Sequence, residues 1–507
     1  MNLFGKSIGR ICAVVAASTA REMSTQLLHA WRETPTVELR LDWLKSDSER
    51  RRLLAWLRRN RPRRAVIVAT CRRREGGGLF ADSVQDELYW LAQAREAGCL
   101  WCDLEIETLR KLPTKSIRQY SLPRRILLSV HDFDGMPPLN ASLNARRLLA
   151  DADAIKIAGA ARTLSESVRL LRHAAKLPNC VAVPMGEVGL PARLLALREG
   201  SALAYAPVAA STAPGQVSLQ EMKHLYRAHA LNRRTQVFGV IGDPIAHSLS
   251  PLLHNTAFVA QKINAVYLPF LVENLRDFLK AAPDFGLRGF SVTLPHKQSI
   301  MRHLQDCDSL SADIGAVNTV VVRRNGSLYG CNTDYVGVLR ALEKKLTLPK
   351  SRVLILGAGG SARAAAFALS RAGAGVYICA RREAAARELA RAVGGEIVPR
   401  RALRTKSFDA ILNATPVGMY PQPAISPLAG AELHCRIVMD LIYRPERTQL
   451  LKLAAQKRIA TVTGVEMFLA QGFAQWEMWM KRPAPQNAMR RAVLVALRAE
   501  ERGRSSS

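Results

Sequence analysis

Ser351-Arg352-Val353-Leu354-Ile355-Leu356-Gly357-Ala358-Gly359-Gly360-Ser361-Ala362 is an apolar run of strand length that ends in a glycine-rich turn, with a long Ala-rich helical pattern behind it. A strand, turn and helix in this order open a dinucleotide-binding unit. The glycines permit a tight turn and let a pyrophosphate approach a helix N-terminus, and Ala362 takes the third small position. Gly357, Ala358, Gly359, Gly360, Ser361 and Ala362 are therefore candidate cofactor contacts. The next strand should end at Cys379-Ala380-Arg381-Arg382, where the acid that usually holds the ribose hydroxyls is missing. Arg381 and Arg382 suit a 2′-phosphate instead, so NADP is the expected cofactor.

Working outward, the pattern is again α/β from a strand at Val237 to Ile241 as far as about Leu346, and after Val462 the chain turns helical over Glu466 to Met480. That last segment can pack back on the domain before the dinucleotide unit. Towards the N-terminus eight short apolar or β-branched runs recur: Ile11 to Ala16, Val37 to Leu41, Ala65 to Cys71, Leu100 to Ile106, Ile126 to Val130, Ala154 to Ile157, Cys180 to Val183 and Ala202 to Ala206. Helical-period segments such as Ser83 to Ala97 and Thr163 to Lys176 lie between them. Eight such alternations predict a (β/α)8 barrel whose strand ends face one mouth. The expected fold is thus α/β throughout. An N-terminal barrel over 1–230 precedes a two-domain half, with an α/β domain suited to a substrate over 231–346, completed by about 465–495, and a dinucleotide-binding Rossmann domain over 347–464. Ser218 to Ala230 reads as a helical connector, and 500–507 as a disordered tail.

The chain has 507 residues, 48% of them apolar and 23% charged, a globular rather than a disordered composition. Its apolar runs are far too short for a membrane-spanning helix. The formal charge of +31 raises a nucleic-acid reading. However, the densest basic stretch, Arg50 to Arg64, alternates its arginines with Leu53, Leu54, Trp56 and Leu57, as one solvated face of an amphipathic helix does. Neither a nucleic-acid nor a membrane partner is expected. Nine cysteines, an odd number, with no signal-peptide pattern before the first strand, point to a reducing cytoplasm. Cys99 and Cys102 form a lone CxxC without a second pair at zinc spacing, so they read as core and no metal is expected.

Polar residues stand at the ends of the barrel strands: Glu38 and Arg40, Arg72 and Glu75, Ser129 and His131, Lys156, and Arg193. Burial of Lys156 in the run Ala154 to Ala158 would disfavour its charged form and free an amine to attack a ketone, unless a barrel carboxylate pairs with it. Glu38-Leu39-Arg40-Leu41-Asp42, Glu75-Gly76-Gly77, Ser129-Val130-His131-Asp132-Phe133, Lys156-Ile157-Ala158 and Pro214-Gly215-Gln216 together resemble type I 3-dehydroquinate dehydratase, over about residues 8 to 230. The resemblance implies a Schiff base on Lys156, proton transfer by His131 and orientation of His131 by Glu75. It also implies a substrate carboxylate on Arg193 and a polar wall of Glu38, Arg40, Arg72, Thr212 and Gln216. Thr212 replaces an expected Ser but keeps the hydroxyl, and the Arg72 to Glu75 spacing is one residue tighter than in some members.

In the second half, Gly242-Asp243-Pro244-Ile245-Ala246-His247-Ser248-Leu249-Ser250-Pro251, Val292-Thr293-Leu294-Pro295-His296-Lys297, Gly315-Ala316-Val317-Asn318-Thr319, Asn332-Thr333-Asp334, Asn413-Ala414-Thr415-Pro416-Val417-Gly418-Met419, Asp440 to Tyr443 and Gln471-Gly472 closely resemble shikimate dehydrogenase, over about residues 236 to 495. The resemblance implies that Lys297 and Asp334 handle the proton at the reacting oxygen. A cation beside a carboxylate suits an alkoxide-like transition state, although a plain ion pair reads the same way in sequence. It further implies carboxylate contacts from Ser248, Ser250 and Tyr443, ring-hydroxyl contacts from Thr293, Asn318 and Gln471, and cofactor contacts from Thr415 and Met419. Ser291 and Ala380 stand where many relatives have Asn. Both halves resemble consecutive steps, so the expectation is one bifunctional enzyme that dehydrates 3-dehydroquinate and reduces 3-dehydroshikimate to shikimate with NADPH. The alternatives are a dehydratase fused to a quinate dehydrogenase and a catalytically dead basic scaffold.

Overall fold

The computed structural model describes residues 7–505 apart from 113, 118, 139 and 210–215. Its chain divides into two compact units, residues 1–236 with 264–286 and residues 237–263 with 287–507. In the first unit eight strands form one parallel sheet: β1 (Ile11–Val15), β2 (Thr36–Arg40), β3 (Val66–Thr70), β4 (Trp101–Glu105), β5 (Arg125–Asp132), β6 (Ala154–Ala160), β7 (Cys180–Met185) and β8 (Ala204–Pro207). The order is β7-β6-β5-β4-β3-β2-β1-β8. The seam between the end strands is bridged just before β8, where Ala202 N–H donates to the Cys180 carbonyl at 2.8 Å and Ala182 N–H to Ser201 Oγ at 3.1 Å. All eight apolar runs of the sequence lie on these strands.

Inside the ring Cys12, Val68, Trp101, Leu127, Ala154, Val181 and Leu203 form an apolar floor. Strand side chains alternate with period two, so the residues two and four positions further along face the same interior, nearer the C-terminal mouth. They are Thr70 and Arg72 after Val68, Asp103 and Glu105 after Trp101, Ser129 and His131 after Leu127, and Lys156 after Ala154. Glu38 lies opposite Val68 in the register and faces the same way.

The second half holds two further six-stranded sheets. The first contains β9 (Gln236–Gly242), β10 (Ala265–Leu271), β11 (Leu287–Val292), β12 (Asp306–Cys307), β13 (Thr319–Val322) and β14 (Leu328–Cys331), in the order β10-β9-β11-β13-β14-β12. The other contains β15 (Arg352–Leu356), β16 (Gly375–Cys379), β17 (Glu396–Ile397), β18 (Phe408–Asn413), β19 (Cys435–Asp440) and β20 (Ala460–Val462), in the order β17-β16-β15-β18-β19-β20. This is the doubly wound order, reversing between β15 and β18, where ligands bind in such sheets. The helix Gly464–Met480 returns to the first of these sheets, and Trp479 Nε1 donates to the Val320 carbonyl at 3.1 Å.

Two expectations are corrected. The connector expected as one helix over Ser218 to Ala230 breaks into short pieces, Glu221–Leu225 and Ala228–Ala230, because Arg227 between them is left-handed with φ of 52°. The tail is not disordered up to residue 505. Helix Gln486–Ser505 includes it, held by Met489, Val493 and Leu497, which are buried at four-residue spacing.

Candidate active sites

Lys156 is 3% exposed, yet its pocket is not apolar. Nζ donates to Asp103 Oδ2 and lies 3.6 Å from Glu38 Oε1, so the pairing with barrel carboxylates is present. Ser129 Oγ donates to the other Asp103 oxygen, and Thr70 Oγ1 to Glu38 Oε1 at 2.9 Å. Arg72 Nη2 stands 3.3 Å from Asp103 Oδ2 and 3.9 Å from Glu38 Oε1. Burial acts to raise the Asp103 carboxyl, but Lys156 and Arg72 outweigh it and hold it below the usual range. His131, one strand from Lys156, has a side chain only 4% exposed. Burial, followed by the cations Arg72, Lys156 and Arg40, holds its imidazolium well below the usual range, so the ring is neutral and suited to accept a proton.

Glu75 is not brought to this cluster. Its carboxylate is about half exposed and accepts from Lys111 Nζ at 2.6 Å with both oxygens. The shortened Arg72 to Glu75 link closes as a tight turn, Arg74–Gly76, that carries the side chain outward. The acid beside His131 is Glu105, whose Oε1 lies 3.8 Å from Nδ1. Burial lifts the Glu105 carboxyl to about 7, with Arg72 opposing and Asp103 adding to the rise. Sequence reasoning missed Asp103 and Glu105, although Trp101-Cys102-Asp103-Leu104-Glu105 places two acids on one strand face.

Arg40 turns to Asp42, donating from Nε and Nη2 at 2.9 and 2.7 Å. Arg193, on the short helix Leu190–Leu195, is buried and donates to the Gly186 carbonyl at 3.0 Å, and burial lowers it to about 10. Gln216 is half-buried, and Thr212 lies outside the described residues. Cys99 and Cys102 are both buried in the core.

In the second unit Lys297 Nζ donates to Asp334 Oδ2 at 2.6 Å, and Asn318 Nδ2 donates to the other Asp334 oxygen at 2.7 Å. Asp334 sits in the first turn of helix Thr333–Leu342, where Asn332 caps and its side chain accepts Asp334 N–H at 3.0 Å. Asn318 Oδ1 in turn receives Thr333 N–H at 2.7 Å and Thr319 Oγ1 at 2.8 Å, which fixes its amide. Gln471 Oε1 lies 3.5 Å from Thr333 Oγ1, placing it beside the same helix start. Thr293 closes against Gly242, where a Cβ would lie 2.4 Å from the Thr293 methyl. Ser250 N–H donates to Ser248 Oγ at 3.3 Å, and Arg444 reaches the carbonyl of His247, which brings the Tyr443 turn beside the Ser248 loop. Behind the site Gln475, absent from the sequence reading, accepts from Ser291 Oγ at 3.0 Å and donates to Thr319 Oγ1 at 3.1 Å. Ser291 is thus bonded within the core.

The residues at the β15–β18 switch fit a dinucleotide. Gly357 has φ of 110°, and a Cβ there would come within 3.2 Å of the Ala414 carbonyl and Thr415 Cγ2. Gly359 and Gly360 face open space, and helix Gly360–Arg371 starts at Gly359 without a side-chain cap, leaving its first N–H groups, including those of Ser361 and Ala362, for an anion. Ala358 is half-buried and Met419 exposed. Arg381 and Arg382 are exposed, with no acid paired to either among the described residues.

Comparison with known proteins finds relatives of both halves of the chain. A model described as type I 3-dehydroquinase matches residues 11–233, the shikimate dehydrogenase substrate binding domain matches 240–320, and the shikimate 5'-dehydrogenase C-terminal domain matches 464–494. The NADP(+)-type shikimate dehydrogenase of Methanothermobacter thermautotrophicus is 39% identical over 51% of this chain and 96% of its own. Among solved structures, Thermus thermophilus shikimate 5-dehydrogenase in complex with NADP(H) and shikimate is 35% identical, covering 52% of this chain and all of that one with a TM-score of 0.48. The chloroplastic bifunctional 3-dehydroquinate dehydratase/shikimate dehydrogenase of Arabidopsis thaliana is 32% identical over 95% of this chain and 83% of its own. With that alignment running through both halves in one order, the chain belongs to the family of bifunctional 3-dehydroquinate dehydratase/shikimate dehydrogenases.

Proposed function

We propose that the two steps of this bifunctional enzyme are carried by Lys156 with His131 in the barrel and by Lys297 with Asp334 in the dehydrogenase. In the barrel the amine of Lys156 attacks the ketone of 3-dehydroquinate and water leaves, forming an iminium. The iminium acidifies the adjacent carbon, His131 takes its proton, and the same proton returns to the departing hydroxyl. Hydrolysis then frees 3-dehydroshikimate and Lys156. Before attack Nζ must shed a proton, and Asp103 and Glu38 are the acceptors within reach. Arg193 and Arg72 supply positive charge for the substrate carboxylate, with Arg40, Gln216 and Thr212 completing the polar wall. The observation that carries this reading is a buried lysine among carboxylates with a buried histidine on the neighbouring strand. Borohydride added with 3-dehydroquinate should fix a substrate adduct on Lys156, and an adduct on another lysine would refute the assignment.

In the dehydrogenase, NADPH supplies the hydride when bound. Gly357, Gly359, Gly360 and the helix start at Ser361 and Ala362 hold its pyrophosphate, Arg381 and Arg382 its 2′-phosphate, and Ala358, Thr415 and Met419 line the same end of the sheet. Lys297 gives a proton to the developing alkoxide of 3-dehydroshikimate, and Asp334 keeps the ammonium in place. Ser248, Ser250 and Tyr443 take the carboxylate, and Thr293, Asn318 and Gln471 the ring hydroxyls.

The partners are small molecules, and no nucleic-acid partner is proposed. Among the described residues no helix is long and apolar enough to cross a membrane. The odd cysteine count is the ground for placing the chain in a reducing compartment, the cytoplasm.

A further inference from the structure

Two buried polar atoms in the barrel face each other without a hydrogen bond. His131 Nδ1 and Glu105 Oε1 are both buried and without a hydrogen-bond partner among the described residues, and they lie 3.8 Å apart. Their strands are neighbours, with Glu105 opposite Ser129, two residues before His131. Arg73 N–H donates to Glu105 Oε2 at 3.1 Å, and Arg72 Nε stands 3.3 Å from Oε1, the oxygen that also faces His131. The turn after β3 makes room for the carboxylate, since a Cβ at Gly76 would lie 2.2 Å from Oε1. Glu75, in the same turn, is engaged by Lys111.

We propose that Glu105 is the positioning residue for His131, accepting Nδ1–H so that Nε2 keeps its lone pair for the substrate. The proposal rests on His131 being the base of the dehydration. The proton taken from the substrate carbon goes to Nε2 while Nδ1–H stays on the ring, and the Glu105 carboxylate opposes the imidazolium that forms. A gap of one ångström closes with a small rotation of either side chain when substrate fills the mouth.

The charged groups around Glu105 are Arg72 from the end of β3, Asp103 on its own strand, Glu107 in the following helix, Ile106–Lys111, and Glu87 in helix Val84–Glu96, whose own carboxyl burial raises to about 8. Those around His131 are Arg72, Lys156 and Arg40. With the Glu105 carboxyl raised by burial to about 7, its ability to accept Nδ1–H changes near neutrality. As pH falls through that value Glu105 takes a proton, the negative charge that opposes the imidazolium is lost, and turnover declines.

The test is the pH profile of dehydration by the full chain, with kcat and KM measured for wild type, Glu105→Gln, Gly76→Ala and Glu75→Gln. Glu105→Gln should lower kcat about tenfold or more, leave KM within about twofold and remove the step near neutral pH. Gly76→Ala, which displaces the carboxylate, should act in the same direction. Glu75→Gln should retain the wild-type profile. A step that survives in Glu105→Gln, or that disappears in Glu75→Gln, overturns the proposal. Borohydride trapping separates the two layers. An adduct on Lys156 in Glu105→Gln shows the amine site intact, as expected, whereas its loss there alone would place Glu105 in Schiff-base formation and overturn the positioning role. Failure to trap Lys156 in wild type would instead remove the mechanism beneath it.

Discussion

In the barrel Lys156 meets Asp103 inside a ring of strands, with side chains 4% and 0% exposed, whereas in the dehydrogenase Lys297 meets Asp334 at the start of a helix with the lysine 22% exposed. The first pair belongs to a network that also holds Glu38, Arg72 and Glu105, all inward-facing on successive strands. The second is fixed by a single neutral bridge, Asn318, and keeps one side open. An amine that attacks a ketone gains from exclusion of water, and a buried charge network suits that task. A site that must admit a dinucleotide as well as a ring substrate has to stay accessible. On the proposed assignment, the same ion pair serves different chemistry according to how far it is buried.

The largest expected effect breaks the comparison at its buried end. Lys156→Ala should abolish dehydration while shikimate oxidation continues at the wild-type rate, measured as two separate assays on one preparation. Loss of both activities together would mean the buried network is needed for the whole chain to fold. Next, Lys297→Ala or Asp334→Asn should lower dehydrogenase kcat by about 10²- to 10⁴-fold with a smaller change in KM, because the proton donor acts mainly in the transition state. A change confined to KM would assign the open pair to binding alone. Third, Arg381→Ala should reduce the preference for NADP over NAD by about tenfold, chiefly through weaker NADP binding, and salt should erode the wild-type preference too. Equal use of both cofactors by the wild type would show that the two guanidiniums point away from the phosphate. The smallest effect is at Ser250, where Ala should raise the Michaelis constant for shikimate by about fivefold, the scale of one ordinary hydrogen bond, with kcat little changed.

The eight barrel strands were readable because each is a short apolar run bounded by turn residues, and the doubly wound domain because Gly357 to Ala362 joins a strand to a helix. The dehydrogenase pair was equally readable, since Lys297 and Asp334 sit in compact local phrases. The barrel centre was only half readable. Lys156 and His131 stand out against apolar neighbours, but the partner of His131 is chosen by the register of β4 against β5, which no local phrase carries. Glu75-Gly76-Gly77 therefore drew attention to an acid that the structure pairs with Lys111, whereas the acid nearest His131 is Glu105. Its glycine proved to matter for another reason, as the space into which Glu105 fits. The C-terminal helix failed for a converse reason. Its buried stripe of Met489, Val493 and Leu497 is regular, but charged residues dilute it, and the Arg490 pair with Glu466 and the Arg444 pair with Glu500 that help hold it join positions distant in sequence.

One coupled measurement tests the central claim that a single chain carries two successive activities at separate lysines. Purified wild-type protein, Lys156→Ala and Lys297→Ala are each given 3-dehydroquinate with NADPH, and both NADPH oxidation and the organic products are followed. Wild type should oxidise NADPH and form shikimate. Lys156→Ala should do neither, yet oxidise NADPH at the normal rate when supplied with 3-dehydroshikimate, and Lys297→Ala should accumulate 3-dehydroshikimate with little NADPH consumed. Shikimate formed from 3-dehydroquinate by Lys156→Ala at the wild-type rate, or a wild-type chain that leaves NADPH untouched, would contradict the account.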